Sequence, residues 1–137
     1  MNKYFTVTTF LLLAAAMEVK AEDATAVTCN MQAAGSTVIW KNELDSKAKI
    51  TVDSKGNVTG SYKNGTSEGG EGPLVGYCNQ SAVAFTVGWT GSSSVTAWSG
   101  VYDSSTQKIT TLWYLVNGAN SSWNAVNAGT DTFKQTK

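Results

Sequence analysis

The sequence of 137 residues contains no histidine and no arginine, so all ten of its basic residues are lysines, and ten acidic residues balance them. Without histidine the chain lacks the commonest general base of enzymes, the base of Ser-His-Asp triads and a common zinc ligand. A neutral chain without arginine is also a poor candidate for nucleic-acid binding, which depends on neutralising phosphates. These absences exclude Ser-His hydrolases and most zinc sites, and they argue against a nucleic-acid partner.

The amino terminus has the three parts of an export signal. Residues 1–3 form a short basic start, residues 4–17 form a nearly uncharged apolar run, and residues 19–21 supply small side chains for signal peptidase. The apolar run is too short and wrongly flanked for a membrane span. We therefore expect residues 1–21 to be a signal peptide, and residues 22–137 to form one secreted domain, extracellular or periplasmic.

Cysteine is scarce, and its number is informative. The chain has two cysteines, Cys29 and Cys78. An even number in an oxidising compartment favours a structural disulfide over a redox or metal motif. We expect one Cys29–Cys78 disulfide and no metal site.

No stretch after residue 21 shows a sustained helical period. Apolar and polar residues instead alternate with a period of two, and clusters of glycine, serine, aspartate and asparagine interrupt them about every ten residues. The pattern predicts eight strands, at 37–44, 47–53, 57–64, 73–78, 82–89, 94–102, 107–116 and 129–135. Eight such strands are typical of a β-sandwich or of an up-and-down barrel. The single proline, Pro73, begins the predicted fourth strand, where its missing N–H does least harm.

One face of these strands combines large aromatic side chains with polar ones. It carries Trp40, Asn42, Tyr62, Asn64, Trp89, Ser94, Thr96, Trp98, Trp113 and Asp131. A buried polar group without a partner costs about 1–3 kcal/mol, so such groups must pair, hold water or meet a ligand. An eight-stranded barrel has room for one small ligand, and aromatic walls with a few convergent polar groups are typical of a ligand site. The pattern also fits an ordinary tryptophan-rich core, and it does not identify a ligand.

A series of short segments resembles the avidin/streptavidin family. Trp40-Lys-Asn42-Glu-Leu44-Asp-Ser46 resembles the family opening W-x-N-x-L-x-S. The segments that follow in family order are Val58-Thr-Gly-Ser-Tyr62, Pro73-Leu-Val-Gly76, Phe85-Thr-Val-Gly-Trp89, Thr96-Ala-Trp98-Ser-Gly100, Thr111-Leu-Trp113-Tyr-Leu115, Trp123 and Gly129-Thr-Asp131-Thr-Phe133. The resemblance covers roughly residues 35–135, so it extends over nearly the whole predicted domain.

The resemblance implies an all-β, eight-stranded antiparallel up-and-down barrel that binds one biotin, catalyses nothing and needs no cofactor. In this family Asn42, Ser46 and Tyr62 would donate to the ureido oxygen of biotin. Asp131 and Asn64 would accept its two ureido N–H groups, although well-known members carry serine or threonine where this chain has Asn64. The remaining implied contacts are Thr96 near the ring sulfur, Ser94 near the carboxylate, and Leu44, Trp89, Trp98, Trp113 and Leu115 around the bicyclic ring.

The resemblance also bears on assembly. In the family, the residue at Trp123 reaches into the site of a neighbouring subunit. The predicted seventh strand is apolar on both faces, with Leu112, Tyr114 and Val116 behind Trp113, as expected if another subunit covers it. We expect a homo-oligomer, and a tetramer rather than a dimer.

Four other interpretations compete with this one. An enzyme would need a second acid-base partner for Asp131, which is the only acid expected inside. A carbohydrate-binding module would need its tryptophans on one open face, and a secreted barrel could bind another small molecule. An outer-membrane barrel would need uniformly apolar outward positions, but the second strand carries Lys47, Lys49 and Asp53 outward. We therefore expect no membrane partner.

Overall fold

The computed structural model describes residues 26–66, 70–119 and 123–136, so the predicted signal peptide lies outside the described residues. Eight strands and one short 3-10 helix make up its regular structure. The strands are β1 (Thr37–Lys41), β2 (Lys47–Val52), β3 (Asn57–Lys63), β4 (Glu71–Asn79), β5 (Ala82–Gly88), β6 (Ser94–Asp103), β7 (Lys108–Asn117) and β8 (Val126–Gln135), and the helix is Trp123–Ala125. None of the helical structure in the described ranges is long and apolar enough to cross a membrane.

The strands form a closed antiparallel barrel in which each strand pairs with its neighbours in the chain. The longest register joins β6 to β7, from Ser94↔Asn117 to Asp103↔Lys108. The barrel closes between β1 and β8 over only two pairs, Trp40↔Gln135 and Lys41↔Lys134. The predicted eight-stranded up-and-down barrel is confirmed.

The alternation in the sequence becomes the inner and outer surfaces of the barrel. In β5, Val83, Phe85 and Val87 are buried while the residues between them are exposed. β2 repeats the pattern with its alanine and isoleucine inside and its lysines outside. Because successive side chains of a strand point to opposite faces, the period of two fixes which residues fill the interior.

Aspartate side chains stabilise two of the turns that the sequence predicted. The Asp53 carboxylate accepts the backbone N–H groups of Lys55 and Asn57 at 2.8 and 2.9 Å. The side-chain amide of Asn57 also donates to this carboxylate, and that bond, followed by the backbone ones, lowers the pKa of Asp53. Asp103 accepts the backbone N–H of Ser105 at 2.9 Å in the β6–β7 turn. Such local bonds end one strand and reverse the chain.

Three predicted strand boundaries differ from the structure by two or three residues, and the other differences are of one residue. β1 ends at Lys41 instead of residue 44, because Asn42 begins a hydrogen-bonded turn. β8 begins at Val126 and not at residue 129, so its first residues extend the ladder with β7. β4 begins at Glu71, which puts Pro73 inside the strand, opposite Ser61. Pro73 is tolerated there because the β4–β5 register begins only at Leu74.

An arm before β1 closes the far end of the barrel. The arm is tied to the end of β4 by the Cys29–Cys78 disulfide, whose Cα atoms are 5.5 Å apart. Behind it, the buried Gln32 accepts the indole N–H of Trp40 at 3.1 Å and donates to the carbonyl of Ile50 at 3.1 Å. The predicted disulfide is confirmed, and the interior opens at the opposite end.

Candidate functional site

A cavity of about 160 Å³ opens at the end of the barrel where β1 turns into β2 and β3 into β4. Its walls carry both apolar and polar side chains. The lining residues are Asn42, Leu44, Ser46, Tyr62, Asn64, Trp89, Thr96, Trp98, Trp113, Leu115 and Asp131. Leu44 is 65% exposed, so it stands at the mouth, while Thr96 and Tyr62 are each 2% exposed and lie deep inside.

The turn between β1 and β2 fixes the orientation of Asn42. Its side-chain oxygen accepts the backbone N–H groups of Leu44 and Ser46 at 3.0 and 2.9 Å. Because both partners are donors, they identify this atom as the oxygen and leave the amide NH₂ directed into the cavity. That NH₂ lies 3.5 Å from the Tyr62 hydroxyl and donates to it. Asn42 therefore presents a donor to the interior.

Tyr62 and Ser46 lie beside this amide. Burial raises the pKa of Tyr62 to about 12, and the hydrogen bond with Ser46 opposes that shift without cancelling it. Tyr62 therefore keeps its proton, and its capacity to donate, throughout the neutral range. The Ser46 hydroxyl accepts the N–H of Gly65 at 3.0 Å and donates to the Asn64 side-chain oxygen at 3.5 Å.

Asp131 is the acceptor on the other side of the cavity. Its Oδ2 accepts the indole N–H of Trp98 at 2.7 Å, which leaves the second carboxylate oxygen free of that bond. Burial raises the pKa of Asp131, and hydrogen bonds from Trp98 and Asn42 oppose the shift. Glu43 adds a smaller upward contribution through charge repulsion.

Two further residues hold the backbone of Asp131. The buried Thr111 hydroxyl donates to the Asp131 carbonyl at 3.2 Å. On the next residue, the N–H of Thr132 donates to the Glu43 carboxylate at 2.9 Å. The Glu43 side chain thereby bridges β1 and β8 beyond their last backbone pair at Lys41↔Lys134. The backbone at Asp131 is thus held from β7, through Thr111, and from the turn after β1, through Glu43.

Stacked aromatic rings make the wall of the cavity rigid. The Trp98 ring lies between Tyr62 and Phe85, with centroids 4.8 and 5.2 Å away and interplanar angles of 27° and 19°. Trp89 stands edge-on to Tyr62 at 5.6 Å, and its indole N–H donates to the Thr96 hydroxyl at 2.8 Å. Offset stacks and edge-to-face contacts of this kind contribute about 0.5–1.5 kcal/mol per pair beyond burial.

Trp113 occupies its place because the residue opposite it is a glycine. Trp113 and Gly129 are register partners on β7 and β8. A Cβ atom built on Gly129 would lie 2.5 Å from Cζ2 of Trp113. Any side chain at position 129 would therefore push the indole out of the cavity wall.

The structure brings together eleven of the thirteen residues predicted for the site. Ser94 does not line the cavity; it is the first residue of β6, and its N–H donates to the Ser92 hydroxyl at 3.0 Å. Trp123 begins the 3-10 helix, but its side chain lies outside the described part of the chain. The ligand contacts themselves stay predictions.

Sequence reasoning missed the residues that support Asp131 and Trp98. Thr111 lies two positions before Trp113 on the inner face, so the alternation could have assigned it to the site. The alternation in β5 puts Phe85 on the inner face but does not indicate that it stacks on Trp98. Nothing local to Glu43 indicates its bond to Thr132, because the two residues are 89 positions apart.

The chemistry of the cavity is that of hydrogen bonding. In the ranges that the structure describes, no group of histidine, cysteine and acidic residues could hold a metal ion. Every described buried side-chain nitrogen or oxygen has a hydrogen-bond partner. The buried polar side chains therefore have hydrogen-bond partners within the protein. They still direct donors and an acceptor into the cavity.

Comparison with known proteins gives concordant matches. Residues 26–136 match the sequence model of the Avidin family. The fold is similar to a structure of apo shwanavidin, with 33% identity over 77% of this chain and 98% of that chain and a TM-score of 0.67. It is equally similar to the rhizavidin–biotin complex, with 33% identity over 77% and 97% of the two chains and a TM-score of 0.68. Core-bradavidin matches with 30% identity over 74% of this chain and all of that one, at a TM-score of 0.66.

Proposed function

The chain belongs to the Avidin family, and from this premise we propose that it binds biotin, one molecule per chain, in the open cavity of its barrel and leaves it chemically unchanged. The observation that carries the proposal is the convergence of three donors and one acceptor on that cavity. The donors are Asn42, Ser46 and Tyr62, and the acceptor is Asp131. A cyclic urea has the complementary set, with one carbonyl oxygen and two N–H groups.

The donors suit the ureido oxygen. The Asn42 amide is oriented by two backbone N–H groups, and the Tyr62 phenol stays protonated because burial raises its pKa to about 12. Donors that are already in place favour the resonance form of the urea with negative charge on oxygen, and hydrogen bonds to charged acceptors are the stronger kind. Little reorganisation is needed when the ligand enters, which reduces the cost of binding.

The acceptors suit the two ureido N–H groups. The Asp131 carboxylate oxygen that Trp98 does not hold accepts one of them. Asn64 accepts the second through an exchange of bonds. Before binding, the Asn64 oxygen accepts the Ser46 hydroxyl at 3.5 Å and the N–H of Thr66 at 3.3 Å, which are both long. When Ser46 turns its proton to the ureido oxygen, Asn64 regains a lone pair for the ligand.

The remaining lining residues complete the pocket. Trp89, Trp98 and Trp113, with Leu44 and Leu115, enclose the bicyclic ring, and Thr96 meets its sulfur. The Thr96 hydroxyl accepts the Trp89 indole N–H, so its own proton is free to point at the sulfur. We assign Ser94, and the described residues that directly follow Asn64, to the ligand carboxylate.

Isothermal titration of the purified protein with biotin tests the proposal. We expect one site per chain, and at least about 1 kcal/mol weaker binding in Tyr62→Phe and in Asp131→Ala, because each variant leaves a desolvated ligand group without its partner. Tyr102→Phe is the matched control, since Tyr102 also lies inside but packs against Trp40, away from the cavity. A wild-type protein that takes up no biotin would overturn the proposal.

We further propose that residues 1–21 are removed on export and that the protein works outside the cytoplasm. The Cys29–Cys78 disulfide supports this, because such bonds persist in oxidising compartments. Expression of the full chain should yield a product whose mass corresponds to cleavage near Ala21, found outside the cytoplasm. An uncleaved product retained in the cytoplasm would contradict it.

We also propose that the protein is a homotetramer. The outer face of the barrel at β4, β6 and β7 carries seven exposed large apolar side chains, which are Val75, Tyr77, Val95, Val101, Leu112, Tyr114 and Val116. Exposed apolar patches of this kind mark interaction surfaces in soluble proteins. In a tetramer Trp123 would close the site of a neighbouring subunit, and native mass spectrometry with biotin would report subunit number and stoichiometry together.

A further inference from the structure

Five lysines stand in one row across five neighbouring strands. The register pairs Lys108 with Lys134, Lys134 with Lys41, Lys41 with Lys47, and Lys47 with Lys63. Each side chain points outward, because its neighbour in the strand is buried. We call this set the lysine row. Like charges directly opposite each other across strands are destabilising, so the row costs the barrel some stability.

The row follows two adjoining surface grooves. A groove of about 590 Å³ is lined by Lys41, Lys108 and Lys134, and a groove of about 460 Å³ by Lys41, Lys47 and Lys63. Both grooves share Lys41 and Asp45, so they form one path along the outside of the barrel. This path is separate from the interior cavity, although Asn42 and Asn64 border both.

The acidic residues of the grooves are already engaged. Asp45 forms a 2.8 Å ion pair with Lys41, and Glu43 accepts the backbone N–H of Thr132. Glu43 and Asp45 carry two negative charges against the five positive charges of the row. The described part of the grooves therefore has a local charge of +3. The row ends where acids stand in register, at Asp103 beside Lys108 and at Glu71 beside Lys63. The positive charge is therefore local, although the whole chain is neutral.

The shape of the row selects among anionic partners. Neighbouring strands lie about 4.8 Å apart, so the row covers roughly 19 Å at the backbone. It spans four of the eight strand-to-strand steps of a closed barrel, and therefore half of the circumference. A flat anionic membrane would meet only part of such a curved row. A flexible linear chain that wraps the barrel meets all five lysines.

The other side chains that line the grooves narrow the class of anionic partner further. The described residues that line the two grooves include no aromatic ring. Proteins that bind single-stranded nucleic acid combine a positive groove with aromatic rings on which bases stack. A polymer with regularly spaced anions and no bases fits this surface better.

We propose that the lysine row binds a linear sulfated polysaccharide, at a site separate from the interior cavity. The contacts are ion pairs between ammonium groups and sulfates, so binding depends strongly on salt. The apolar face of the barrel lies elsewhere, so an oligomer that uses it can still hold the polysaccharide.

Fluorescence anisotropy with a labelled heparin octasaccharide tests the proposal on the whole protein across a salt series. The test variant is Lys63→Gln with Lys134→Gln, which removes two charges from the row. The matched control is Lys49→Gln with Lys55→Gln, which removes two charges outside it. By analogy with counterion release from nucleic acids, we expect the test variant to bind roughly tenfold or more weakly at 50 mM salt, with a salt slope lower by about two. The control variant should bind nearly as the wild type does.

Each other outcome overturns the proposal. Equal losses in the two variants would mean that net charge, and not the row, attracts the polymer. Equally tight binding of a single-stranded oligonucleotide or of unsulfated hyaluronan would reject the sulfated polysaccharide as the preferred partner. Absence of binding at 50 mM salt would reject the site altogether. Biotin titration of the same variants should be unchanged, so the result is independent of the function proposed for the cavity.

Discussion

Asp131 is a carboxylate that the fold makes harder to ionise. Burial raises its pKa, so in the folded protein it takes up a proton at a higher pH than in the unfolded chain. Where the folded state binds more protons, stability rises as the pH falls. The contribution of Asp131 to stability should therefore grow as the pH drops through its raised pKa, in a window that lies above 3.8.

Thermal unfolding of the ligand-free wild type and of Asp131→Asn, followed from pH 7 to pH 4, measures this contribution. We expect the wild type to gain stability relative to the variant as the pH falls, because asparagine does not titrate. Asp45, Asp53 and Asp103 have lowered pKa values and oppose the trend, but they are the same in both proteins and cancel in the difference. A difference that stays constant over this range would contradict the prediction.

Gly129 is a second single residue on which the cavity depends, because it has no Cβ atom. Because a Cβ would lie 2.5 Å from the Trp113 ring, Gly129→Ala should displace the indole at a cost of about 1–3 kcal/mol and weaken biotin binding. Gly88→Ala is the control, since a Cβ there meets nothing within 4 Å. Tryptophan fluorescence and calorimetry would follow both variants, and equal behaviour of the two would refute the close approach.

Among the larger elements, the arm before β1 is held by a disulfide, by backbone hydrogen bonds and by buried side chains. The arm pairs with the end of β4 through the single bridge Cys29↔Gln80 and through the disulfide at Cys78. Behind the disulfide, Met31 and Gln32 are buried. The arm therefore belongs to the core of the closed end, far from the open cavity.

Cys29→Ser with Cys78→Ser should lower the free energy of unfolding by roughly 3–4 kcal/mol, because the bond closes a loop of 49 residues in the unfolded chain. Biotin affinity should change little, since neither cysteine lines the cavity. Urea unfolding and calorimetry measure the two effects separately. A variant that is fully stable but no longer binds biotin would mean that the arm acts on the site.

At the scale of the whole molecule, the apolar outer face of the barrel is the feature that bears on assembly. Val95 and Val116 are register partners on β6 and β7, and Leu112 and Tyr114 stand on the same outer side of β7. These four residues are between 43% and 55% exposed in the single chain. A second chain that covered them would remove this apolar surface from water, which is the main driving force of association.

Tyr114→Glu should shift the protein toward smaller assemblies, because it would bury a charge in the interface. Ser61→Glu, on the exposed outer side of β3 opposite Lys49, adds the same charge away from the apolar face. Sedimentation at micromolar concentration should show dissociation in the first variant only. Wild-type protein that is already monomeric would contradict the assembly.

The sequence by itself determined the eight strands and the composition of the interior, and the family resemblance selected the barrel over the sandwich. The alternation is a local property, since neighbouring residues of a strand face opposite sides, and it is sufficient to place Trp40, Tyr62 and Trp98 inside. The family resemblance added the order of the segments and the ligand. Eleven predicted residues meet in one cavity because their strands are consecutive neighbours around the barrel.

Only the tertiary structure decided what depends on register and on distant partners. The orientation of the Asn42 amide follows from a turn that ends β1 three residues earlier than expected, and Ser94 begins β6 outside the cavity lining. The bond from Thr132 to Glu43 and the alignment of Lys108 with Lys63 through three other strands join residues far apart in the chain. A shift of one residue in any ladder would break these contacts while leaving each strand's own pattern intact, which is why no local pattern could predict them.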